Sequence, residues 1–143
     1  MTRLLPFLAL SLLAASCKIA PQPIAFGTDA CHFCHMTIVD RQHASELVTG
    51  KGKAFKFDAV ECMAHHINEL EISPGALLLV SDFNQPGTLI EAESATYLVS
   101  ERLPSPMGAF LTAFASQQDG QKAQQQYGGS LYDWQGLQKH LNP

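Results

Sequence analysis

Apolar and polar positions along the chain fall into short alternating runs, separated by Gly, Pro and charged residues. Thr37-Ile38-Val39 has the makings of a short strand, and polar Asp40, Arg41 and Gln42 end it. Ala44 to Thr49 reads as a strand, Gly50-Lys51-Gly52 as a turn tolerant of positive φ, and Ala54 to Phe57 as a second, loosely alternating strand. Asp58 can cap a helix, with Glu61 three residues on to complete a capping box. Val60, Met63, His66, Ile67 and Leu70 then keep one apolar helical face. Pro74-Gly75 stops that helix, and Ala76 to Val80 reads as a buried strand. The order is strand, strand, helix, strand.

The second half gives a similar order. Leu89-Ile90 and Ala95 to Val99 are strand candidates, and Leu103 to Met107 is held extended and irregular by Pro104 and Pro106. Phe110 to Ala115 reads as a strand with helix as its competitor. Ser116 caps a helix from Gln117 to Gln126 that Gly128-Gly129 ends, Ser130 to Tyr132 is a short strand, and Trp134 to Leu141 a closing helix. The expected fold class is α+β: two small ββαβ-type units in tandem, about 31–82 and 88–143, with a C-terminal helix. Duplication rests on element order alone, because no residue-level repeat accompanies it.

The first sixteen residues follow a different logic. Arg3 provides a positive start, Leu4 to Leu13 is mostly apolar, and Ala14, Ala15 and Ser16 lead into Cys17. That is the layout of a secretory signal, too short to span a bilayer as a helix. A Cys directly after small residues resembles a bacterial lipoprotein processing site, so 1–16 is expected to be a lipoprotein signal peptide and Cys17 the lipidated N-terminus. An ordinary cleaved signal peptide is the alternative. Residues 17–30, with Pro21, Pro23 and Gly27, are expected to be a tether. Membrane association would then come from lipid at Cys17.

The chain has 143 residues, 46% hydrophobic and 15% charged, enough for one globular domain with a real core. Its formal charge of −4 becomes more negative once Arg3 leaves with the leader, and no basic run is present. Nucleic-acid binding is thereby disfavoured. No Ser–His–Asp pattern, phosphate-cradling Gly loop or paired carboxylate stands out, so an enzyme is not expected. Beyond Cys17 the thiols are Cys31, Cys34 and Cys62, an odd number that leaves at least one outside any intramolecular disulfide.

The densest chemistry is Cys31-His32-Phe33-Cys34-His35-Met36. A redox dithiol is one reading of Cys31-x-x-Cys34, although that motif normally opens a helix in a βαβ context. Structural zinc is a second, with Cys62 and His65 or His66 completing four ligands across a gap longer than the roughly 15–20 residues of compact ribbons. Cu(I) is the third. In an extended segment Cys34 and Met36 project to the same side, and thioether sulfur suits Cu(I) far better than zinc. Met107, in an irregular Pro-flanked segment, is the remote sulfur candidate.

These features together resemble the NosL family: Cys34-x-Met36, Phe55-x-Phe57-Asp58 running into a helix, Pro106-Met107-Gly108 followed by Ala113-Phe114, Gly128-Gly129, and the lipoprotein-like start. Members are periplasmic lipoproteins that bring copper to nitrous oxide reductase, the terminal enzyme of denitrification. The resemblance implies Cu(I) ligation by Cys34 and Met36 with Met107 as downstream ligand, and tandem strand–strand–helix–strand units. Many members have Gly where this chain has His35, and many lack an equivalent of Cys31. Cys31 is therefore an extra ligand, a disulfide partner of Cys34, or neither; Cys62 and His35 are further candidates. The expectation is a copper chaperone on the periplasmic side of a bacterial membrane. Its partners would be the nitrous oxide reductase apoprotein and its membrane maturation machinery. A zinc-stabilised periplasmic domain or a thiol–disulfide oxidoreductase is the alternative. Cys34 is expected to matter most for copper, Met36 and Met107 less, Cys31 conditionally, and Cys62 for folding more than affinity.

Overall fold

In the computed structural model, residues 19–69 and 72–143 are described; the expected leader and Cys17 lie outside them. Strand β1 (Ser45–Val48) pairs antiparallel with β2 (Ala54–Phe57), with Ser45 opposite Phe57 and Val48 opposite Ala54. Gly52, at φ 82°, turns the chain between them and donates its N–H to the Thr49 carbonyl at 2.8 Å. Helix α1 (Val60–Glu69) follows and turns a buried face, including Cys62, Met63 and Ile67, into the core. Strand β3 (Leu77–Ser81) then returns to the free edge of β1.

Strand β4 (Leu89–Glu91) pairs with β3 and completes a sheet of order β2-β1-β3-β4. The expected second half beginning at 88 therefore starts one strand later. Its own sheet has order β6-β5-β7, from β5 (Thr96–Val99), β6 (Leu111–Phe114) and β7 (Ser130–Tyr132). Each half places its first strand in the middle, its hairpin partner on one side and the strand after the helix on the other. The tandem ββαβ reading holds at the level of topology.

Helix α2 (Gln117–Tyr127) starts where expected: Ser116 accepts the Asp119 N–H at 3.1 Å, and Gly128 closes the far end at φ 71°. Helix α3 (Trp134–Leu141) is capped by Asp133, which accepts the Gly136 N–H at 2.7 Å. The expected capping box of α1 does not form, because Glu61 turns away from the helix start and takes the Ser105 hydroxyl instead.

One core serves both halves. Ile38, Phe57, Met63 and Val80 from the first pack with Tyr97, Leu111, Trp134 and Leu137 from the second. Full burial of an aliphatic, Phe or Met side chain of this kind is worth roughly 1.5–3 kcal/mol. A smaller cluster of Leu98, Leu103, Phe114 and Ala123 lies under α2. Polar ties also cross between halves: buried His43 meets Asp40 at 2.9 Å and Thr112 of β6 at 3.2 Å.

The expected tether is shorter than residues 17–30. Gln22 donates its N–H to Glu46 at 2.9 Å, and Lys56 donates to both the Pro23 carbonyl and the Asp29 carboxylate at 2.6 Å. Ile24 and Phe26 pack on the core. Two isolated apolar residues in a Pro-rich run carry no periodicity, so only the packing reveals them as part of the domain. The expected strand at Thr37–Val39 reduces to one bridge, Ala30 opposite Thr37, because the chain closes directly into the Cys31 loop.

Candidate metal centre

The loop from Cys31 to Met36 is closed by its own backbone. Cys31 donates its N–H to the Met36 carbonyl at 2.8 Å, and His35 donates to the Cys31 carbonyl at 2.9 Å. Closing so tightly puts His35 at φ 64°, a left-handed conformation that glycine adopts without strain. The glycine that the resemblance leads one to expect there meets a backbone requirement; the His35 side chain is exposed and outside the group of three thiols. His32 donates its N–H to the Lys56 carbonyl at 2.8 Å, which docks the loop on β2.

The next element brings the third thiol. After β2, the chain turns through Asp58 and Ala59 into α1, and Cys62 sits in the first turn, fully buried. The sulfurs of Cys31, Cys34 and Cys62 all lie within 4.8 Å of one another. Cys31 is buried and Cys34 half-buried, so Cys34 is the thiol nearest to solvent; all three are free. Cys62, one of the further candidate ligands in the sequence, thus stands in the cluster.

The electrostatics divide the three. The neighbouring Cys62 thiol, helped by the backbone N–H groups around the Cys31 sulfur, holds the Cys31 thiol well below the usual thiol range. The Cys34 N–H lies 3.5 Å from that sulfur. Cys62 is pushed far up by the adjacent Cys31 and by burial, and Cys34 is raised chiefly by burial. Cys31 is thus the first of the three to lose its proton, and Cys34 and Cys62 hold theirs longer. Asp58 beside it is raised by burial and by the Cys31 charge.

The histidines stand apart. His32 and His66 meet edge to face at 5.0 Å among Phe55 and Phe57, and His65 stacks on Phe33 at 5.7 Å. Burial lowers the His66 pKa, and its Nε2 has no partner. Among the described residues the metal-competent group contains three Cys and no His. A tetrahedral zinc site through His65 or His66 is not assembled. Nor does Cys31-x-x-Cys34 open a helix, as a redox dithiol would; it spans a turn.

The two methionines lie at the surface: Met36 is 54% exposed and Met107 39%. Met36 sits opposite Cys31 in the loop, through its carbonyl. Met107 sits in the β5–β6 connection, two residues after Ser105, which donates to Glu61 at 2.7 Å beside Cys62. Three clustered thiols with one edge open can hold a soft ion with trigonal sulfur coordination.

A family model described as NosL matches residues 23–141 of this chain. The copper-binding lipoprotein NosL of Stutzerimonas stutzeri is 30% identical over 129 residues, covering 84% of this chain and 68% of that protein. The crystal structure of the copper chaperone NosL from Shewanella denitrificans has a TM-score of 0.70 to this fold at 24% identity, covering 82% of this chain and 95% of that one. At that identity the likeness speaks for the fold.

Proposed function

The chain belongs to the NosL family, and from that premise we propose that it binds Cu(I) and delivers it for the maturation of nitrous oxide reductase. The observation that carries the reading is the convergence of three sulfurs within 4.8 Å, with no imidazole among them. Relatives described as a copper-binding lipoprotein and a copper chaperone support a non-enzymatic role. Copper here is cargo.

Cys31, Cys34 and Cys62 supply thiolates, and Met36 and Met107 supply thioethers at the surface. Soft sulfur donors in two- or three-fold coordination favour Cu(I) over zinc, which prefers four ligands. Release is as necessary as capture, and the half-exposed Cys34 offers an incoming thiol or thioether a place to attack. The recipient is the nitrous oxide reductase apoprotein with its membrane machinery. Lipid on Cys17 would hold the protein at the periplasmic side of a bacterial membrane; the Stutzerimonas stutzeri relative is itself described as a lipoprotein.

The test is anaerobic titration of reduced protein with Cu(I) against a calibrated chelator, followed by X-ray absorption. One copper per chain with sulfur-only scattering is expected. Zinc with nitrogen ligation in protein isolated from cells would replace this reading.

A further inference from the structure

We propose that the Ser105–Glu61 hydrogen bond is a positioning clamp that keeps Met107 available to copper held by the thiols. This inference rests on the reading of Met107 as a ligand. Ser105 and Glu61 are both buried, and Ser105 Oγ donates to Glu61 Oε1 at 2.7 Å. Glu61 immediately precedes Cys62 in the first turn of α1, and Met107 comes two residues after Ser105. One hydrogen bond thus ties the segment bearing the remote methionine to the residue beside a clustered thiol.

The ends of the segment are fixed separately: Leu103 is buried in the smaller core cluster, and the Phe110 carbonyl accepts the Ser100 N–H at 2.9 Å. The same Ser105 hydroxyl accepts the Leu111 N–H at 3.3 Å, and the Ser105 carbonyl accepts the Gly108 N–H at 3.1 Å, forming a turn with Met107 inside it. Phe110 leaves the turn at φ 55°, a left-handed conformation that costs a non-glycine residue energy, while its side chain remains 36% exposed. A strained exit and an exposed Met are maintained by a buried anchor. Removing the Ser105 hydroxyl also leaves Glu61 without its partner, since Oε2 of that carboxylate already has none.

The experiment is a double-mutant cycle between Ser105→Ala and Met107→Leu, read as the rate of Cu(I) release to excess chelator and as the sulfur count by X-ray absorption. Residues that orient a metal ligand typically change affinity about 10- to 100-fold. Ser105→Ala should accelerate release within that range, match Met107→Leu, and add nothing in the double variant. Ser105→Thr, which keeps the hydroxyl, should release copper at the native rate. Glu61→Gln keeps an acceptor oxygen and should also stay near it, which serves if Ser105→Ala does not fold. Multiplying effects, native release in Ser105→Ala beside fast release in Met107→Leu, or fast release in Ser105→Thr and Glu61→Gln would each overturn the clamp. So would native release in Met107→Leu, with Cys34→Ser still losing copper. Undiminished copper binding in Cys34→Ser would instead overturn the thiol site on which the proposed function stands.

Discussion

The Cys62 sulfur, in the first turn of α1, lies within 4.8 Å of the Cys31 sulfur in the loop ahead of β1. Their sulfurs and that of Cys34 are within 4.8 Å. That proximity shifts the pKa values of three otherwise identical side chains in different directions, and the consequences are measurable.

Copper affinity should rise steeply with pH. Cys31 is lowered, first by the Cys62 thiol, and is already ionised near neutrality, whereas Cys62 and Cys34 are raised and still carry protons. Cu(I) bound by three thiolates must then displace about two protons per ion. The logarithm of the affinity should climb with a slope of about two between pH 6 and 8, and binding should weaken as the medium becomes more acidic. A slope near one would mean that only one of the protonated thiols ligates.

Substitution of each sulfur should resolve the hierarchy. Cys34→Ser, Cys31→Ser and Cys62→Ser should each weaken Cu(I) binding by about a hundredfold or more, equivalent to about 2.8 kcal/mol. Met36→Leu and Met107→Leu should cost about tenfold. This goes beyond the expectation of a conditional role for Cys31 and a chiefly folding role for Cys62, because both sulfurs belong to the cluster. Chelator competition at fixed pH decides it. Native affinity in Cys31→Ser and Cys62→Ser would return the site to Cys34, Met36 and Met107.

Thr112→Val should destabilise the junction between halves without touching copper. The buried His43 Nε2 loses its partner at 3.2 Å, and an orphaned buried polar group costs about 1–3 kcal/mol. Urea unfolding should show a lower midpoint at unchanged slope. An unchanged midpoint would mean that the His43–Thr112 contact contributes nothing to stability.

Gly129→Ala should be more damaging. Gly129 lies at φ 94°, and an added Cβ would stand 2.1 Å from the Val99 carbonyl oxygen. Steric overlap and a left-handed backbone act together, so a loss beyond about 2 kcal/mol is expected. Calorimetry should show the lower melting temperature, and copper affinity of the folded fraction should stay native. A native melting temperature would show that β7 can shift away from β5 at little cost.

Much of the fold was written locally. The strand–strand–helix–strand order, the Ser116 cap, the stop at Gly128 and the helix over Trp134–Leu141 follow from periodicity, side-chain capping and glycine, all properties of neighbouring residues. The chemical character of the loop 31–36 was equally legible, since two thiols, a thioether and two imidazoles in six residues narrow the metal to a soft or borderline ion.

Tertiary structure alone decided the rest, for reasons of distance along the chain. Whether β4 joins the first sheet or the second depends on which edge is free, and β3 offers it. Ile24 and Phe26 become part of the domain only because Glu46 and Lys56 hold the segment around them against the first sheet. Glu61 leaves its helix start for a hydroxyl on another connection. Cys62 reads as one more apolar position on α1 until the docking of His32 on β2 and the packing of that helix bring its sulfur against the other two. Periodicity states which face of a helix is buried; it carries no information on what lies across from that face.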